Sequence, residues 1–272
     1  MSRIATCFQS LRQQSRTALI PFVTAGDPQP GATVAIMHTM VAAGADIIEL
    51  GIPFSDPMAE GPVIQRASER ALKHHVSLRD VLQMVQDFRQ QDSATPVILM
   101  GYLNPVEVMG YQTFAAAAAK AGADGVITVD LPPEEGQDYI AALRAVQLDP
   151  IFLLAPTTTA ARMAIICEQA AGFVYYVSLK GVTGAASLDV NSVADKVAMI
   201  RHHTDMPVGV GFGIKDAATA ARVAAVADAV VIGSALVQRV EDHGADQALL
   251  LAEITTFLSG IRAAMDVARA NV

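Results

Sequence analysis

No tryptophan occurs in this chain, and only two cysteines do, Cys7 and Cys167. Their separation fits neither a metal-ligand nor a redox spacing, and two cysteines build no disulfide framework. That usage suits a reducing cytoplasm. A basic excess is also missing: 19 Lys and Arg stand against 27 Asp and Glu, a net charge of −8. An acidic balance argues against a nucleic-acid partner, whose phosphates call for a basic face. The first residues lack the apolar core of a secretion signal, and no uncharged apolar run reaches the length of a bilayer span. The expectation is a soluble cytoplasmic protein with no nucleic-acid or membrane partner. What the chain does have is apolar material: 52% of its 272 residues are hydrophobic. That is enough for a sizeable core in one large domain or two small ones.

One stretch stands out, from Ile47 to Pro62. It begins as an apolar strand and ends in a loop punctuated by Pro and Gly. Glu49 lies inside the strand, between Ile48 and Leu50, with no cation near it in sequence. Carboxylates are seldom buried unpaired, because the desolvation cost is high. Eleven residues later (60 − 49) a second acid, Glu60, sits in the loop. A rigid acid and a mobile acid at one end of a sheet are what acid–base chemistry requires.

Around this stretch, short apolar runs alternate with helical patterns. A leading helix covers Ile4 to Gln13. The first strand runs from Ala18 to Val23, and Asp27-Pro28 reads as the start of a helix ending at Ala43-Gly44. The second strand is Ile47 to Leu50, followed by helical patterns at Pro62 to His74 and Leu78 to Gln90. The third is Pro96 to Met100, leading to Tyr102, and Asn104-Pro105 opens the next helical region. The fourth is Gly125 to Val129, ending at Asp130, with a helix over roughly Glu134 to Val146. The fifth is Pro150 to Leu154, followed by a Thr-rich cap at Thr157 to Thr159. The sixth is Phe173 to Val177, followed by the loop Lys180 to Gly184 and a helix from Val190 to Arg201. The last two are Pro207 to Gly211 and Ala229 to Ile232, with a final helical stretch after Gly233-Ser234.

Eight strand–helix units in 272 residues, about 34 each, suit a single (β/α)₈ barrel domain spanning 1–272 with an extra N-terminal helix. The strands are near-continuous apolar runs, as burial on both faces demands. A weak repeat supports this: Ala43-Gly44-Ala45-Asp46 precedes the second strand and Ala121-Gly122-Ala123-Asp124 the fourth. An open doubly wound sheet is the alternative.

In such barrels the chemistry lies at the C-terminal ends of the strands. Those ends carry Phe22, Glu49, Tyr102, Asp130, Tyr175, Phe212, Gly213, Gly233 and Ser234. The glycines after the last two strands, with Gly184 from the neighbouring loop, form the expected phosphate site, built on backbone N–H groups. Each assignment has a plainer alternative. Glu49 can be a core carboxylate satisfied by a distant Arg, Glu60 a charge favouring a helix N-terminus, Phe22 and Tyr175 plain core, and the glycines ordinary turns. The paired histidines, His74-His75 and His202-His203, read as surface residues at helix ends, and no cluster has metal-ligand spacing.

Taken together, these residues resemble the tryptophan synthase alpha subunit family. The match rests on Glu49-Leu50-Gly51-Ile52-Pro53-Phe54-Ser55-Asp56-Pro57 with Gly61-Pro62, and on Pro21 to Pro28, Gly181-Val182-Thr183-Gly184 and Gly211-Phe212-Gly213-Ile214. It covers essentially the whole chain. The resemblance implies a lyase that splits indole-3-glycerol phosphate into indole and glyceraldehyde 3-phosphate by a retro-aldol step. It implies Glu49 as the acid and base, and a second carboxylate on the indole N–H. It also implies Phe22, Tyr102, Tyr175, Thr183 and Phe212 around the substrate, and Gly184, Gly213, Gly233 and Ser234 at the phosphate. No metal and no cofactor are implied in this chain. Pyridoxal phosphate belongs to a beta subunit, with which an alpha2beta2 complex and passage of indole are expected, the loops around Asp56 and Thr183 signalling to it. This chain departs from the family at Glu60, where Asp is usual, at Met58, where Leu is usual, and at Lys180. Two other readings are a Schiff-base aldolase using Lys180, and a barrel kept only to activate a beta subunit.

Overall fold

The computed structural model of the chain describes residues 2–178, 190–211 and 213–270. Eight parallel strands close into a barrel in chain order: β1 (Ala18–Thr24), β2 (Ile48–Gly51), β3 (Val97–Gly101), β4 (Gly125–Thr128), β5 (Asp149–Leu154), β6 (Val174–Val177), β7 (Val208–Gly211) and β8 (Ala229–Ile232). Closure is made where Ala18 to Pro21 pair with Ala229 to Ile232. That removes the open sheet from consideration, because no strand edge is left free. Around the barrel lie α2 (Thr33–Ala42), α3 (Pro62–Lys73), α4 (Leu78–Phe88), α5 (Leu103–Met109), α6 (Tyr111–Ala121), α7 (Gln137–Ala145), α8 (Ala160–Gln169), α9 (Val190–Arg201), α10 (Ala217–Ala224), α11 (Ser234–His243) and α12 (Gln247–Ala270).

Strand alternation sorts the core into an inner and an outer shell. Ile20, Ile47, Ile98, Ile127, Ile151, Phe173 and Val231 pack inside the barrel. The leading helix α1 (Arg3–Gln13) closes the N-terminal end, its Ile4, Phe8 and Leu11 joining that inner cluster. Their neighbours Ile48, Leu50, Leu99 and Val126 face outward onto the helices.

The Ala-Gly-Ala-Asp repeat is a structural device at this same end. Gly44 and Gly122 take positive φ, 103° and 93°, and stop their helices. A Cβ at either would run into an arginine stem, that of Arg262 or Arg89. Each following aspartate then accepts a backbone N–H and an arginine, and Asp124 also accepts Arg3 at 2.9 Å. Asp46 takes the Leu19 N–H at 2.8 Å and Arg262 at 3.1 Å. Asp124 takes the Val97 N–H at 2.8 Å and Arg89 at 2.8 Å. The repeat thus fastens the starts of β1 and β3 to helical arginines, a stabilising role typical of the N-terminal face of such barrels.

Three sequence boundaries move. Asp27-Pro28 does not open a helix: a short 3₁₀ turn (Pro30–Ala32) comes first, and α2 begins at Thr33. Asp27 instead forms a bidentate pair with Arg70, at 2.7 and 2.8 Å. The helical region after β3 breaks in two at Gly110, whose φ is 85°. The helix expected from Glu134 begins only at Gln137, after the turn that holds Pro132 and Pro133. A fourth point concerns the membrane expectation. The stretch Gln247–Arg269 of α12 is long and apolar enough to cross a bilayer. Here Leu250, Ile254, Leu258, Ile261 and Met265, spaced three or four apart, are buried against the barrel. Arg262 of the same helix reaches Asp46.

Candidate active site

Alternation in β2 sends Ile48 and Leu50 outward and Glu49 inward, above the layer formed by Ile47 and Ile98. Glu49 pairs in register with Phe22 on one side and Ile98 on the other. Its side chain is 1% exposed and its Oε2 has no hydrogen-bond partner. Burial first, and then the charge of Glu60, pushes its carboxyl up to about 8. No ion pair reaches it among the described residues, so the distant-arginine explanation of this buried acid is not what the fold provides. At neutral pH Glu49 holds its proton, as a group that must first act as an acid should.

Glu60 lies on the loop that leads from β2 to α3. Its N–H donates to the Pro57 carbonyl at 3.0 Å and its carbonyl accepts from Gln65 Nε2 at 2.8 Å. The carboxyl does not cap α3: Gly61 is the N-cap, and no side-chain bond is made there. Instead it turns into the cleft, where burial pushes it up to about 7. Two carboxyls that influence one another therefore sit with pKa values on either side of a narrow interval. Burial raises both, and the charge of Glu60 raises Glu49 further, so Glu49 is the one of the two that favours its proton more strongly.

The aromatics complete the walls. Tyr102, just past β3, stacks on Phe54 with ring centroids 5.1 Å apart. Its hydroxyl accepts the Ala59 N–H at 3.0 Å, which ties the Glu60 loop to the barrel mouth. The buried Tyr175 hydroxyl is held well above the usual phenol range by burial and then by the charges of Glu49 and Glu60. Phe22 and Tyr175 each lie over a strand-end glycine. A Cβ at Gly51 would stand 2.6 Å from Phe22 Cζ, and one at Gly211 would fall on the Tyr175 hydroxyl. Those glycines make room for the rings, a reason sequence reasoning did not attach to them. It also missed Thr24, Ile64, Ser68 and Met100, which line the cleft with Glu60 and Tyr102. For Thr24 a signal existed, a hydroxyl ending an otherwise apolar strand. Asp130, noted as a strand-end acid, serves to accept the Leu103 N–H at 2.8 Å and fix the start of α5.

At the other side of the mouth, Gly233 is the N-cap of α11 and Ser234 its first residue. The first amides of a helix have no intrahelical acceptor and favour an anion. Gly213, behind β7, takes φ 79°. Space above Gly233 is open to an ordinary contact distance, with Ile64 Cδ1 3.7 Å from a Cβ placed there. Helices α3 and α11 are locked together. Arg66 donates to both carboxylate oxygens of Glu241 at 2.7 Å, and Arg70 bridges Glu241 at 3.0 Å to the buried Asp27. The helix that the Glu60 loop enters and the helix that starts at Ser234 are thereby joined. Thr183, Gly184 and Phe212, also expected at the site, lie outside the described residues, as does Lys180.

This arrangement has close counterparts. Residues 8–266 match the family described as the tryptophan synthase alpha chain. The tryptophan synthase alpha chain of Thioalkalivibrio sulfidiphilus is 65% identical over 266 residues, spanning 98% of this chain and 100% of the relative. That of Marinobacter nauticus is 60% identical over 267 residues, spanning 98% of each. The crystal structure of tryptophan synthase subunit alpha from Legionella pneumophila superposes with a TM-score of 0.91 at 45% identity, covering 98% of this chain and 99% of that one. One from Mycobacterium tuberculosis tryptophan synthase, in an aminoacrylate-bound form, superposes with a TM-score of 0.87 at 37% identity, over 97% and 100%. At these identities, and with both chains covered end to end, the chain belongs to the tryptophan synthase alpha chain family.

Proposed function

We propose that this chain cleaves indole-3-glycerol phosphate to indole and glyceraldehyde 3-phosphate, with Glu49 and Glu60 as its two working carboxyls. The observation that carries the reading is the buried Glu49, whose Oε2 has no hydrogen-bond partner among the described residues, pushed up to about 8 beside a second raised acid. Indole becomes a leaving group only when C3 is protonated, and Glu49 has the proton to give. The resulting Glu49 carboxylate then takes the proton of the adjacent side-chain hydroxyl. As that O–H bond breaks, the aldehyde C=O forms, the C–C bond to the ring cleaves, and its electron pair returns to the ring. Glu49 ends protonated as it began. The ionised Glu60 accepts from the ring N–H and stabilises the positive charge that protonation creates. Phe22, Tyr102, Tyr175, Thr183 and Phe212 bound the ring and side chain in this reading. Gly184, Gly213, Gly233 and Ser234 hold the phosphate.

Proton transfers suffice for this reaction, so the chain itself calls for no cofactor. Pyridoxal phosphate belongs to a beta subunit that receives the indole within an alpha2beta2 complex in the cytoplasm. Met58, 84% exposed on the loop after β2, and Val108, 83% exposed on α5 after β3, put apolar surface on the face such a partner would cover. The test is a lyase assay on the isolated chain with and without a beta subunit. Indole release in both, faster with the partner, is expected. Release in neither would leave the chain as an activating partner only.

A smaller effect follows at Gly211. A methyl group there must displace the Tyr175 hydroxyl, so Gly211→Ala is expected to raise KM for the phosphorylated substrate about tenfold or more, as misplacement of a substrate-facing group does. The thermal midpoint should move little. An unchanged KM in the folded variant would contradict the packing argument.

A further inference from the structure

A second cavity lies at the opposite end of the barrel from the catalytic mouth. It measures about 320 Å³ and opens between α1, the start of β7 and the end of α12. That is the low end of the size range of small-molecule sites. Its floor is apolar, made by Phe8 and Leu11 of α1 and by Pro207. Its rim carries three guanidinium groups, Arg12, Arg16 and Arg269.

Arg16 is compensated by Asp266 at 3.2 Å, a carboxylate it shares with Arg262. Arg12 and Arg269 pair with no carboxylate among the described residues; Arg269 donates only to the Ala225 carbonyl, at 3.4 Å. The single acid on the rim, Asp228, is already engaged by the Val208 N–H at 2.9 Å and by Arg201 at 3.0 Å. Two guanidiniums with no carboxylate partner among the described residues thus line one hollow with an apolar part, on a chain whose net charge is −8. A bound anion would compensate both, and planar guanidinium matches a carboxylate or phosphate in two-point fashion.

We propose that this cavity is a binding site for a small organic acid: a body of about one ring seated on Phe8, Leu11 and Pro207, with a carboxylate or phosphate head held by Arg12 and Arg269. It is separate from the catalytic cleft and independent of the reaction assigned to that cleft.

The experiment uses the intact chain and 4-fluorobenzoate, followed by fluorine NMR line broadening and saturation. One saturable site is expected. Arg12→Glu and Arg269→Glu should each weaken it about tenfold or more, the scale of a lost charged hydrogen bond. Arg79→Glu, an exposed arginine on α4, should leave it unchanged. Acetate, which has the head but no ring, should compete at least about tenfold more weakly, for want of the buried apolar area. Arg12 is exposed and its side chain has no partner among the described residues, so its variant should fold; an unchanged thermal midpoint checks this. Equal affinity in Arg12→Glu and the parent would overturn the proposal. So would acetate or inorganic phosphate binding as tightly as the aromatic acid, or no saturable broadening up to the solubility of the probe.

Discussion

Glu49→Gln is expected to lower kcat by about 10²–10⁴-fold, the usual cost of losing a general acid and base. Glutamine keeps the shape and much of the polarity of the side chain, and the position is fully buried, so packing is preserved. What disappears is the ability to give a proton to indole C3 and take one from the hydroxyl. KM should change little, because no part of the proposed phosphate or ring contacts is removed. Steady-state kinetics of the lyase reaction check both numbers. A variant turning over within a few-fold of the parent would remove Glu49 from the chemistry.

The second large effect concerns Glu60, where the family usually has Asp. Both end in carboxyls of similar intrinsic pKa, so the difference is one of reach: one methylene, about 1.5 Å. The expectation is that the loop accommodates the longer side chain. Ala59 is tied to Tyr102, Glu60 to Pro57 and Gln65, and the carboxyl lies close enough to Glu49 to raise it. Shortening it withdraws the charge from that position. Glu60→Asp should therefore lower kcat/KM, by as much as about 10²-fold if the shift approaches 1 Å. A Glu60→Asp protein several-fold faster than the parent would mean that the loop has not adapted and that the parent is a weak enzyme.

Much of this molecule is legible in its residues because the period of the pattern is the period of the structure. Eight apolar runs of four to seven residues, each followed by a helical pattern, leave few topologies other than a barrel, and each expected strand forms with ends shifted by a residue or so. Glu49 is legible because an unpaired acid in such a run demands an explanation. Asp27 misleads, since a carboxylate before Pro has the local chemistry of a cap. Only the tertiary fold brings Arg70, 43 residues away, to claim it. The purpose of Gly51 and Gly211 is equally non-local, fixed by rings on neighbouring strands. The same holds for Asp46 and Asp124: the repeat is plain in the sequence, while the arginines it serves come from α12 and from the C-cap of α4.

The central claim is that two carboxyls of the cleft, the buried Glu49 and the half-buried Glu60, titrate near neutrality, Glu49 about 8 and Glu60 about 7. Because burial raises both, each holds a proton in the fold that it would lose in the unfolded chain at the same pH. The most direct measurement is a carbon-13 NMR titration of the chain labelled at glutamate Cδ, with Glu49→Gln and Glu60→Gln for assignment. The account predicts two resonances titrating well above all other glutamates, one lost in each variant. It also predicts that the Glu49 midpoint moves down in Glu60→Gln, where the neighbouring charge is gone. If every glutamate titrates in the ordinary range near 4.3, the acid–base assignment made for this site is wrong.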